Sequence, residues 1–114
     1  MIVDDNQDLA CLLKWMLEDE GHEVRSANDG TDGYSAYLLF NPDLVLTDIQ
    51  MPGKNGLELI KQIRRHNPGV RTVYMSGDVS EYWSPLEEEK KNYLVDILEK
   101  PFSKHELIHV LSRP

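Results

Sequence analysis

Cysteine is almost absent from this chain: Cys11 stands alone among 114 residues. That excludes an internal disulfide and fits a reducing cytoplasm. No apolar run approaches the ~20 residues of a membrane-spanning helix, and no secretory signal is recognisable. Positive charge is scarce as well. Twelve Lys and Arg face 20 Asp and Glu, for a net charge of -8, which disfavours nucleic acid or an anionic membrane as a direct partner. DNA, if involved, must be touched by another domain. Internal repeats and low-complexity tracts are also missing. What remains is a chain of single-domain length, large enough to bury roughly two-thirds of its extended surface.

The apolar runs that are present are short, and they end on polar residues. Met1-Ile2-Val3 ends on Asp4 and Asp5, and Leu44-Val45-Leu46-Thr47 ends on Asp48. Val73-Tyr74-Met75 ends on Ser76-Gly77, and Asp96-Ile97-Leu98-Glu99 delivers Lys100-Pro101. Runs of this length separated by helical patterns predict five βα units around a parallel sheet. In such sheets ligands bind beyond the carboxyl ends of the strands, which is where all five polar groups fall. A pair of carboxylates ~4 Å apart costs about 4 kcal/mol at an effective dielectric near 20, so three in one crevice call for positive charge. Lys100 supplies one charge, and a hard divalent cation such as Mg²⁺ suits the rest. A carboxylate so placed is a potential nucleophile toward phosphorus, giving an aspartyl phosphate. Phosphoryl transfer asks the protein mainly for alignment and neutralisation of charge.

The stretch Asp48-Ile49-Gln50-Met51-Pro52-Gly53-Lys54-Asn55-Gly56 resembles the D-x-x-M-P-x-x-x-G signature of response-regulator receiver domains, which are CheY-like two-component signalling proteins. Val3-Asp4-Asp5 before it, Ser76-Gly77 after it and Lys100-Pro101-Phe102 near the end keep the family's order over essentially the whole chain. The resemblance implies a doubly wound five-stranded parallel α/β sheet with helices on both faces and the flavodoxin-like order 2-1-3-4-5. It implies Asp48 as phosphoacceptor, and Asp4, Asp5, Asp48 and the Gln50 backbone carbonyl as Mg²⁺ ligands. Ser76 and Lys100 would contact the phosphoryl group, Gln50 and Asp78 would tune its hydrolysis, and the Lys100-Pro101 peptide would be cis. The implied partner is a sensor histidine kinase or histidine phosphotransfer domain, docking on Leu9, Leu12 and Phe102, and a homodimer is compatible. The expected domain is residues 1–114, cut from a longer chain.

The sequence also departs from the family. Ile97 stands where an aromatic switch residue is usual, three residues before the lysine, and almost nothing precedes the Asp4-Asp5 pair. The segment from Glu81 to Leu94 is unusually charged and aromatic. Two rival readings follow: a degenerate receiver that acts as a phosphorylation-independent interaction module, and a small-molecule aspartyl-phosphate phosphohydrolase. The second class usually carries another acid where this chain has Gln50.

Helical periodicity predicts helices over about Asp8 to Glu20, Thr31 to Phe40 and Gly56 to His66, ended respectively by Gly21, Asn41-Pro42 and Asn67-Pro68. Ser84-Pro85-Leu86-Glu87 reads as a capping box with proline at the first helical position, opening a fourth helix. Ser103-Lys104-His105-Glu106 reads as a second box, with Phe102 and Leu107 as its hydrophobic staple. After Leu86 the fourth helix offers little but charge, so weak anchoring is expected of it, and with that a role as the element displaced on phosphorylation. His22, His66, His105 and His109 read as solvent-facing, and Cys11 as a small helix residue. Trp15 either packs on the fifth helix or offers apolar surface to a partner; Tyr82 and Trp83 are either interface residues or a lid over the site.

Overall fold

Five short parallel strands carry the molecule, in the order β2-β1-β3-β4-β5. In the computed structural model, which describes residues 1–112, they are β1 (Ile2–Val3), β2 (Ser26–Ala27), β3 (Leu44–Asp48), β4 (Arg71–Ser76) and β5 (Val95–Glu99). The last two residues of the expected domain lie outside the described part. The helices are α1 (Gln7–Asp19), α2 (Gly30–Phe40), α3 (Gly56–Arg64), α4 (Trp83–Asn92) and α5 (Lys104–Leu111), with a 3-10 turn over Val79–Tyr82. This is the strand order expected from the resemblance.

Successive strand residues point to opposite faces, and each face has its own core. Val3, Val45 and Tyr74 pack with Tyr37 of α2, Leu59, Ile60 and Ile63 of α3 and Leu86 of α4. Ile2, Leu46, Val73 and Met75 pack with Ala10, Leu13 and Leu17 of α1 and Leu107 and Val110 of α5. Helices therefore cover both faces, as parallel sheets require. β2 is the element that apolar pattern does not reveal: it is two residues long, and Ser26 is exposed.

The helix ends follow local chemistry. Asn6 accepts the Leu9 N–H to cap α1, and Asp29 accepts the Asp32 N–H to cap α2. Asn55 and Glu58 form a reciprocal capping box on α3, and Ser103 and Glu106 form the expected one on α5. Phe102 and Leu107 share one apolar cluster, consistent with the staple. Asn41 closes α2 in the left-handed conformation, with φ of 49°.

The expected box at Ser84 does not form. The 3-10 turn runs directly into α4, so the helix begins at Trp83, Ser84 and Pro85 fall inside its first turn, and no side chain caps it. Proline is tolerated there because the first helical amides have no intrahelical acceptor to lose. The weak apolar anchoring of α4 is present: its buried residues are Leu86 and, against expectation, Glu89.

Candidate functional site

Three strand ends build the site. β1 closes on Asp4, whose backbone N–H donates to the Ala27 carbonyl at 3.1 Å and whose side chain is fully buried. β3 closes on Asp48, held in register opposite Met75 of β4, where Ile49 N–H donates to the Met75 carbonyl at 3.0 Å. β4 closes on Ser76, whose carbonyl accepts the Lys100 N–H at 2.8 Å, and this places the lysine beside it. Hydrophobic burial fixes the strands, and polar ends follow from where the apolar runs stop.

The turn after Asp48 depends on Gly56. Its N–H donates to the Ile49 carbonyl at 2.8 Å, and a Cβ at that position would sit 2.3 Å from the Asp48 carbonyl oxygen. No side chain fits there, so the glycine eight residues after Asp48 sets how the acid is presented.

At the edge itself, Asp4, Asp5 and Asp48 each offer a carboxylate oxygen, and these oxygens lie within 4.8 Å of one another. Lys100 Nζ reaches Asp4 Oδ2 at 3.1 Å and Asp48 Oδ2 at 3.3 Å. Asp4 Oδ1 accepts the Asn6 N–H at 2.9 Å; each carboxylate oxygen has a second lone pair, so this still leaves capacity for a ligand. Asp48 is less acidic than an ordinary aspartate. Burial is the main cause, opposed by Lys100 and reinforced by the charges of Asp4 and Asp5. A cluster of hard oxygen donors with one ammonium and residual negative charge matches the donor set that Mg²⁺ prefers.

Ser76 is buried, and its Oγ accepts the Asp78 N–H at 3.1 Å. Gln50 lies in the exposed start of the loop after β3. Asp5 is exposed at the mouth of the site. The Lys100-Pro101 peptide is cis, as expected. A shallow cavity beside the site is lined by Leu9, Lys100, Pro101 and Phe102, which brings together two of the three residues expected to dock a partner. Tyr82 is within electrostatic range of Asp48: burial, then Glu81, Asp48 and Asp78 raise its phenol above the usual range.

Other candidates stay apart from the site. All four histidines are exposed, and Cys11 is exposed on α1. Trp15 is 74% exposed on α1 and so is not packed under the fifth helix. A buried polar group that sequence reasoning missed joins Arg64, Tyr74 and Glu89 beneath α4. The Glu87-Glu88-Glu89-Lys90-Lys91 run gave no sign that its third member turns inward.

The family model of the response regulator receiver domain matches residues 1–112. The chain belongs to that family. It is a receiver domain of a two-component response regulator, and similar receiver domains are known in solved structures and curated proteins. The receiver domain of NtrX from Brucella abortus superposes with a TM-score of 0.84 at 32% identity, covering 98% of this chain and 93% of that one. The chemotaxis protein CheY4 of Vibrio cholerae superposes with a TM-score of 0.88 at 25% identity, again covering 98% and 93%. The nitrogen assimilation regulatory protein NtrX of Azorhizobium caulinodans is 33% identical over 99% of this receiver domain, which spans 25% of that protein. A response regulator receiver protein from an Anaeromyxobacter species is 35% identical, covering 89% of this chain and 42% of its own length. Among the described residues, no helix is long and apolar enough to cross a membrane.

Proposed function

We propose that this receiver domain takes a phosphoryl group from a phosphohistidine onto Asp48 with Mg²⁺, and signals through the surface around α4. The observation that carries the reading is the meeting of Asp4, Asp5 and Asp48 within 4.8 Å with Lys100 against two of them. Asp4, Asp5, Asp48 and the Gln50 backbone carbonyl would hold the cation, which supplies charge neutralisation for the phosphoryl oxygens. An Asp48 carboxylate oxygen attacks phosphorus in line, the O–P bond forms as the donor P–N bond breaks, and the imidazole leaves and takes up a proton. Lys100 opposes the negative charge on the transferred group. Ser76, by turning its hydroxyl from the Asp78 N–H, donates to a phosphoryl oxygen. Gln50 and Asp78 flank the path of the water that later hydrolyses the phosphate.

The donor histidine needs an approach to Asp48. The cavity of Leu9, Pro101 and Phe102 beside Lys100, with exposed Leu12 on α1, offers an apolar footing for a histidine kinase or phosphotransfer domain. Ile97 at the usual aromatic position supports the second reading, a receiver that works as an interaction module without phosphate.

Incubation with Mg²⁺ and a small acyl-phosphate donor, followed by intact mass, separates the two. The phosphoacceptor reading expects one phosphoryl adduct that mild base removes and that is missing in Asp48→Asn. An adduct that persists in that variant, or none in the natural sequence, contradicts it.

A further inference from the structure

Away from the site, one carboxylate oxygen ties together three parts of the fold, and its arginine partner reaches a fourth. Tyr74, fully buried on β4, donates its phenol O–H to Glu89 Oε1 at 2.5 Å. Arg64, at the end of α3, brings its guanidinium to 3.0 Å from the same oxygen. That guanidinium also lies 3.7 Å over the ring of Tyr93, in the segment joining α4 to β5. Arg64 and Glu89 are 7% and 8% exposed. A buried ion pair is weak evidence for stability, because desolvation offsets much of its attraction, and its best-attested use is to fix one arrangement among several.

That use fits α4. Its other buried residue is Leu86 alone, so apolar packing holds the helix at one point. Apolar contacts slide, whereas the Tyr74 hydrogen bond to Glu89, with the Arg64 ion pair beside it, is either made or broken. Burial and the facing Glu89 carboxylate push the Tyr74 phenol well above its ordinary pKa, so it keeps its proton and remains a donor.

The junction is also in line with Ser76. Tyr74 and Ser76 are two residues apart on β4 and share a face of the sheet. Ser76 Oγ accepts the Asp78 N–H, and Asp78 Oδ1 in turn accepts from the Ser80 N–H at 3.2 Å and the Ser80 hydroxyl at 2.5 Å. That turn runs into the N-terminus of α4. The partner of Tyr74 across the sheet is Ile97, so the aromatic hydroxyl on this face comes from β4 instead of β5.

We propose that the Tyr74, Glu89 and Arg64 junction is a latch that holds α4 in its resting position, and that phosphorylation works against it by drawing Ser76 off the Asp78 turn at the opposite end of the helix. The second half rests on the phosphoacceptor reading; the latch itself needs no phosphate. Two variants test it: Tyr74→Phe, which removes only the hydroxyl, and Glu89→Gln, which keeps an acceptor but removes the charge facing Arg64.

Hydrogen exchange resolved by peptide, without phosphate donor, is the first measurement. Amides of Trp83–Asn92 are expected to exchange about tenfold faster in each variant, with β3 and α1 unchanged. The second measurement is the rate of adduct formation from a small acyl phosphate, expected to rise several-fold in Tyr74→Phe because the resting position is less favoured. Unchanged exchange in α4, or acceleration spread evenly over all elements, overturns the latch, as does slower adduct formation with the natural rate intact. Failure of the phosphoacceptor reading looks different: no adduct on the natural sequence, with selective exchange in α4 still accelerated.

Discussion

Lys100 is the residue on which the proposed chemistry at the strand ends turns. Its ammonium lies 3.1 Å from Asp4 and 3.3 Å from Asp48, so in Lys100→Met both acids lose their nearest positive charge. Loss of a charge-assisted hydrogen bond in the transition state, about 1.5–3 kcal/mol, slows phosphoryl capture from an acyl phosphate by about 10–100-fold. Affinity for Mg²⁺ rises in the same variant, because three acids then face one cation without competition. Rates by intact mass and affinities by calorimetry check the two signs together; a fall in both contradicts the assignment. Asp48 makes the converse point. Burial raises its pKa, so its ionised form is penalised in the fold above that pKa, and the penalty disappears at pH values below the unfolded one. Asp48→Asn therefore melts at a higher temperature than the natural sequence at neutral pH in metal-free buffer, and a lower melting temperature there counts against the account.

Among the elements, α4 and α5 differ in how they begin, and the difference is measurable. Ser103 accepts the Glu106 N–H in a complete capping box, so Ser103→Ala costs about 1 kcal/mol. Ser84 caps nothing, since α4 starts one residue earlier, so Ser84→Ala stays within about 0.5 kcal/mol of the natural sequence. Urea midpoints for the two variants give the comparison, and equal losses contradict the observed start of α4. The same contrast shows what was readable in advance. β3, β4 and β5 were legible because each is an apolar run ending on a polar residue, and α1, α2 and α3 because their stops are Gly21, Asn41-Pro42 and Asn67-Pro68. β2 was not, since Ser26–Ala27 is held by pairing with β1 and carries little apolar signal. The start of α4 was misread because a serine before proline looks the same whether it caps a helix or follows a 3-10 turn that feeds one. Glu89 was hidden for a related reason: its partners, Tyr74 and Arg64, lie 15 and 25 residues away, and acidic runs usually face solvent.

In the molecule as a whole, two cores of ordinary apolar packing bring β1, β3, β4 and β5 into line, and everything specific to this chain sits at the ends or under α4. The acids were legible as a set because Asp4-Asp5 and Asp48 close separate buried strands; their mutual distance was not, as that depends on parallel pairing of β1 with β3. The central claim is that these two distant stretches converge on one divalent cation. Titration with Mn²⁺, which broadens nearby amide signals in NMR spectra, tests that convergence most directly. The account predicts that signals of Asp4, Asp5, Asp48 and Gln50 broaden first and together, that Mg²⁺ restores them by competition, and that Asp48→Asn shifts the effect to higher Mn²⁺. Broadening that starts instead on the exposed acids of α4, or spreads evenly over the acidic surface, contradicts it.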